Sequence, residues 1–171
     1  VDHIAFGEKN SMVRDMIDKY HQMADGHAVI DYSFHGAIQN ASNEILEEMD
    51  ELYKKGIVST KIYTTYGGKL DDDNILKILK KAKETGTVVC VHCENDGMIK
   101  ELRDEAKENG NLDPIYHAKT RPSQSEAEAI NRLIYLSEIA DFPKLYIVHT
   151  STKLGVDEIR NARAREVENL Y

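Results

Sequence analysis

Three residues combine a reactive side chain with a place in or at the end of an apolar strand. Lys61 sits in "STKIYTTYGGK", residues 59 to 69, among Thr60, Ile62, Tyr63, Thr64 and Thr65, the β-branched and aromatic types that favour strands. His92 closes "VVCVH" and His149 closes "LYIVH". Two imidazoles in equivalent contexts suit zinc, manganese or a similar ion. With one anionic oxygen they would leave a fourth position for water, the usual form of a catalytic zinc site. Plainer readings stand beside this one. A lone strand-end histidine is more often a hydrogen-bonded structural residue, and a strand lysine more often snorkels to solvent. Spacing alone leaves both open. His3, His21, His27, His35 and His117 lack the strand-end context and read as surface or structural.

The elements that must carry these residues are punctuated regularly. Residues 10 to 26 space Met12, Met16, Ile17, Tyr20 and Met23 at helical intervals and stop at Gly26. "HAVIDYSF" then reads as a strand. "SNEILEEMDELYKKG" puts Ile45, Leu46, Met49, Leu52 and Tyr53 on one face, with basic residues in its last turn and Gly56 as terminator. "DDDNILKILKKAKETG" repeats that grammar. "TVVCVHCEND" is a near-continuous apolar run, as expected of a strand covered on both faces. A short helix over 97–110 and a loop over 111–122 follow. The next helix, 123–141, has Ser123 and Glu126 at capping-box spacing. "KLYIVHTS" is the last strand, and 156–170 reads as helix.

With "VDHIAF" counted, five strands alternate with helices, which implies parallel β/α units with right-handed crossovers. An open doubly wound sheet and part of an eight-stranded barrel both fit. A complete barrel takes about 250 residues, more than the 171 present. No Gly-rich phosphate loop follows any strand, which weakens a nucleotide-binding reading. The opening "VDHIAF" reads like mid-strand without an initiator Met, and predicts an excerpt of a longer protein.

A formal charge of −8 argues against nucleic acid. The basic "RNARAR" at 160 to 165 reads as a solvated helix face. No apolar run approaches the roughly 20 residues of a membrane helix. Cys90 and Cys93 form an isolated C-x-x-C inside an apolar strand, read here as two reduced thiols and a cytoplasmic origin.

On "DYSFH" (31–35), "TKIYTTY" (60–66), "VHCEND" (91–96), "RPSQSEAEA" (121–129) and "LYIVHTS" (145–151), the sequence resembles the dihydropyrimidinase/D-hydantoinase family of cyclic amidohydrolases. The resemblance covers nearly the whole chain. It implies a (β/α)8 TIM-type barrel with two divalent metal ions, usually zinc. It further implies that Lys61 is carboxylated and bridges the metals, and that His92 and His149 bind one of them. Tyr66 would contact the substrate carbonyl and stabilise its oxyanion. The implied reaction opens a dihydropyrimidine or hydantoin ring to an N-carbamoyl amino acid, in an enzyme that is commonly a homotetramer.

The chain departs from the family pattern chiefly by omission. The H-x-H pair of the first barrel strand is absent, and the last strand's aspartate would lie beyond Tyr171. The expectation is therefore a single partial barrel domain over 1–171, spanning about strands two to six, without the family's flanking β-sandwich. Alone it is expected to be inactive, and to self-associate through its open edges or to have disordered loops. Allantoinases and dihydroorotases, which share the barrel and the lysine bridge, are the enzymatic alternatives. A non-catalytic dihydropyrimidinase-like scaffold is the alternative of another class.

Overall fold

The computed structural model describes residues 2–8 and 11–171. Its elements run β1 (Asp2–His3), α1 (Val13–Ala24), β2 (Phe34–Ala37), α2 (Asn43–Lys54), β3 (Ser59–Tyr63) and α3 (Asp72–Thr85). Then follow β4 (Val88–His92), α4 (Asp96–Glu108), α5 (Tyr116–Lys119), α6 (Ser123–Ile139), β5 (Leu145–Ile147) and α7 (Lys153–Ala164). None of the described helices is long and apolar enough to cross a membrane.

Strand order decides between the two architectures that the pattern left open. The sheet runs β1-β2-β3-β4-β5, every pair parallel. A doubly wound sheet reverses its order at a switch point and places helices on both faces. Here the order never reverses, and α1, α2, α3, α6 and α7 pack each against the next. That is the winding of a (β/α)8 barrel, of which this chain forms part.

Alternation along the strands separates two environments. Ile62, Val89, Val91, Leu145 and Ile147 join the core with Ile75, Ile78, Leu79, Ile130, Leu133 and Ile134 of the helices. Their neighbours Lys61, Tyr63, Cys90 and His92 face the other way, into a cavity of about 380 Å³. The pairs Lys61–Cys90 and Tyr63–His92 are in register across β3 and β4.

Local chemistry explains most element limits. Ser42 caps α2 by accepting the Ile45 amide, and Gly86, at φ 83°, ends α3 in the left-handed conformation that a Cβ disfavours. Some limits differ from expectation. The strand expected over 27–34 is confined to Phe34–Ala37. His27 and Ala28 are held in a turn on the Ala24 carbonyl, leaving Val29 and Ile30 exposed. Their β-propensity meets no partner, because β1 pairs only from Phe34 onward. The 111–122 loop contains the short α5. Ser123 does not cap α6, whose N-cap is Pro122. The final helix starts at Lys153 under a Thr152 cap and stops at Ala164. Beyond it Glu166 and Asn169 take positive φ, and Leu170 bridges in parallel to Leu145. The expected strand "VDHIAF" shrinks to Asp2–His3, with Val1 outside the described residues.

Candidate metal centre

Lys61 is held by β3 in the middle of the sheet, between Ala37 and Cys90. It is 5% exposed, and its Nζ has no hydrogen-bond partner. Nζ lies 4.9 Å from the centroid of the Tyr63 ring. Burial favours the neutral amine and lowers the pKa to about 8. An unpartnered buried amine is an expensive feature for structure alone to maintain.

His92 ends β4, and His149 lies two residues past β5. The structure brings them together. Nδ1 of His92 and Nε2 of His149 are 3.1 Å apart, with ring centroids at 4.8 Å. Burial lowers the His149 pKa, and the charges of Lys61 and His92 add to the effect.

Two backbone outliers mark the same place. His149 has φ 41° and Tyr66 has φ 70°, a region where a non-glycine residue costs about 1–3 kcal/mol unless its surroundings enforce it. The enforcing contacts are visible. Glu126, buried on α6, accepts the amides of Ser151 (2.9 Å) and Thr152 (2.8 Å) and the Thr152 hydroxyl (2.5 Å), which pins the turn after His149. On the other side, Thr65 donates to Asp96 at 2.8 Å and Lys69 Nζ reaches the same carboxylate at 2.6 Å, closing the loop that carries Tyr66. Tyr66 is 45% exposed, and its ring centroid lies 5.1 Å from that of His92.

The donor set is compatible with a divalent ion. Two ligands of one tetrahedral zinc, at bonds of about 2.0–2.1 Å, lie about 3.3 Å apart, close to the separation of the two imidazole nitrogens. Among the described residues no three His, Cys, Asp or Glu side chains group to hold an ion by themselves. Further coordination would come from another kind of donor, and the orphaned Lys61 amine lines the same cavity. The two cysteines are free and buried, and burial raises both thiol pKa values. They remain protonated.

Several residues escaped the sequence reading. His3 and His35, assigned to surface or structural roles, line the Lys61 cavity, and His35 is bonded to Ser59 at 2.5 Å. Glu94 lies 2.8 Å from Nε2 of His92, and Arg121 sits behind it at 3.5 Å. A carboxylate two residues after a strand-end histidine was a readable signal for Glu94. Arg121 and Glu126 lie in the stretch 121–129 that carries the resemblance, but nothing in the chain's order placed either beside the strand ends, where only the fold carries them.

No protein-family model matches the chain. The D-phenylhydantoinase of Escherichia coli O1:K1 / APEC is 44% identical over 164 residues, 96% of this chain and 36% of that protein. Among solved structures, dihydropyrimidinase from Brevibacillus agri NCHU1002 matches with a TM-score of 0.94 and 38% identity, over 99% of this chain and 37% of that one. D-Hydantoinase from Bacillus sp. AR9 matches at 0.92 and 40%, over 96% and 36%. A dihydroorotase from Campylobacter jejuni, at 0.58 and 15%, shares the fold alone. The chain thus spans about a third of the length of these relatives. Over that span, in sequence and in fold, it is similar to dihydropyrimidinases and D-hydantoinases.

Proposed function

We propose that the protein opens dihydropyrimidine or hydantoin rings to N-carbamoyl amino acids at a centre of two divalent ions, with zinc as the expected metal. One observation carries the reading: the buried, unpartnered Lys61 amine shares a cavity with His92 and His149, whose facing nitrogens are 3.1 Å apart.

Lys61 supplies the missing anionic donor. Its neutral amine attacks the carbon of carbon dioxide, a C–N bond forms, and one proton leaves to solvent. The neutral amine becomes an anionic carbamate, which would offer oxygen donors to the ions. His92 and His149 would hold one of the ions through the nitrogens that face each other. When bound, the ions contribute Lewis acidity toward the ring carbonyl and lower the pKa of a water molecule.

The remaining steps belong to the chain's own groups. Tyr66, at the rim of the cavity, donates its hydroxyl to the carbonyl oxygen where negative charge develops. Water adds at that carbon, the ring C–N bond breaks, and the departing nitrogen takes a proton. Tyr63 and Cys90 line the Lys61 side of the cavity and restrict solvent there. The small, uncharged ring of a cyclic ureide suits such a site.

Ring-opening rates of zinc-loaded full-length protein on dihydrouracil, hydantoin, 5-phenylhydantoin, allantoin and dihydroorotate test the assignment. The first three are expected to lead. Preference for allantoin or dihydroorotate overturns the substrate class, and a folded protein inactive on all five after reconstitution favours a scaffold.

A further inference from the structure

One carboxylate outside the proposed ligand set is aimed at the centre. Oε2 of Glu94 is 2.8 Å from His92 Nε2, and both side chains are largely buried, at 14% and 16% exposure. The Glu94 backbone is fastened to Thr64, the residue that follows β3. Its amide donates to the Thr64 hydroxyl at 2.9 Å, and that hydroxyl lies 2.8 Å from the Glu94 carbonyl oxygen. Arg121 approaches the other carboxylate oxygen only to 3.5 Å, and its Nε makes no hydrogen bond. The shorter bond, to His92, is thus the one that the carboxylate serves. Arg121 stands behind as a backstop, 5.8 Å from the Tyr66 ring centroid and 3.2 Å from His117 Nδ1.

The chemistry of this bond is directional. An ionised carboxylate only accepts, so its bond to His92 requires the proton on Nε2. A neutral imidazole carries one N–H, which leaves the lone pair on Nδ1. Nδ1 is the atom that faces His149.

We infer that Glu94 is a positioning residue that fixes the tautomer and ring orientation of His92, so that Nδ1 presents its lone pair to the ion, with Arg121 holding Glu94 in place. This rests on the metal-centre reading proposed above. Carboxylates that hold ligating histidines in this way are worth about 10–100-fold in metal affinity.

The test is Zn2+ affinity, measured by chelator competition on the full-length protein in bicarbonate buffer, together with the visible spectrum of the Co2+-loaded form. Glu94→Ala is expected to weaken one of two Zn2+ ions by about 10–100-fold and to alter the Co2+ bands. Glu94→Gln offers a single oxygen, which can face Arg121 or His92 but not both, so it also loses affinity. Adding Arg121→Met removes the competitor and is expected to recover part of the loss, a rescue that a purely structural role would not produce. The double variant also keeps the test decisive should Glu94→Ala misfold. Wild-type affinity and an unchanged Co2+ spectrum in both Glu94 variants overturn the inference while leaving the metal centre intact. A wild-type protein that takes up no Zn2+ removes the centre, and the inference with it.

Discussion

A lysine enclosed by Tyr63, Cys90 and the neighbouring strands has lost its water without gaining a hydrogen-bond partner. Folding tolerates that arrangement where the amine is put to use. Arginine is the informative replacement at this position, since it keeps the length and the charge but cannot be deprotonated to attack carbon dioxide. Lys61→Arg is expected to lose at least about a hundredfold in Zn2+ affinity, converting a bridging anion into a repelling cation. 13C NMR with labelled bicarbonate should show a carbamate resonance in the wild type and none in the variant. A labelled signal that persists in Lys61→Arg would put the carbamate elsewhere. Tyr66→Phe removes one hydroxyl at the cavity rim, and kcat is expected to fall about 100-fold with zinc content unchanged. Activity equal to wild type would return Tyr66 to a packing role.

Strands and the turns that follow them hold these residues, and buried carboxylates on the helices brace one such turn and one helix start. Glu126 satisfies three donors in the turn after His149. Glu126→Ala leaves those donors unpaired and should lower stability by about 2–4 kcal/mol, read from urea midpoints. Zinc affinity should fall with it, because His149 loses its enforced backbone. Glu48, 2% exposed on α2, accepts the Val13 and Arg14 amides and so caps α1, whose N-cap Met12 offers no side-chain acceptor. Glu48→Ala is expected to cost about 2–3 kcal/mol without changing zinc affinity, since α1 lies away from the cavity. A large zinc effect there would show that the two ends of the sheet are coupled. Gly155 lies where α7 crosses α6, and an added Cβ would come within 2.8 Å of Glu126 Oε2 and 2.9 Å of Ile130 Cδ1. Gly155→Ala should therefore destabilise by about 1–3 kcal/mol and loosen the Glu126 anchor.

At the scale of the molecule, five strands of a barrel leave one sheet face without the opposing strands that would complete it. The helix side is closed, whereas the other face presents the Lys61 cavity, Tyr66 and Tyr146, each tyrosine 45% exposed. The edges differ. Leu170 and Tyr171 pair onto β5 and cover part of it, but β1 pairs only with β2 among the described residues. These 171 residues expressed alone are expected to self-associate. A monodisperse monomer by light scattering at working concentration would contradict this.

Hydrophobic period, cap residues and glycine stops are local properties, so α2, α3, β3 and β4 could be read from the chain within a residue or two, and so could the positions of Lys61, His92 and His149. The short β2 and the early stop of α7 could not, because Val29, Ile30 and the residues after Ala164 have local propensities that tertiary partners either fail to reward or override. Strand order was equally out of reach: the same β/α alternation serves an open sheet and a barrel, and only pairing in space separates them. The 3.1 Å approach of two imidazoles 57 residues apart, with Glu94, Arg121 and Glu126 gathered around them, is likewise a product of packing. Hydrogen bonds between distant residues leave no periodicity to read, and they exist only once the helices have laid the strands side by side.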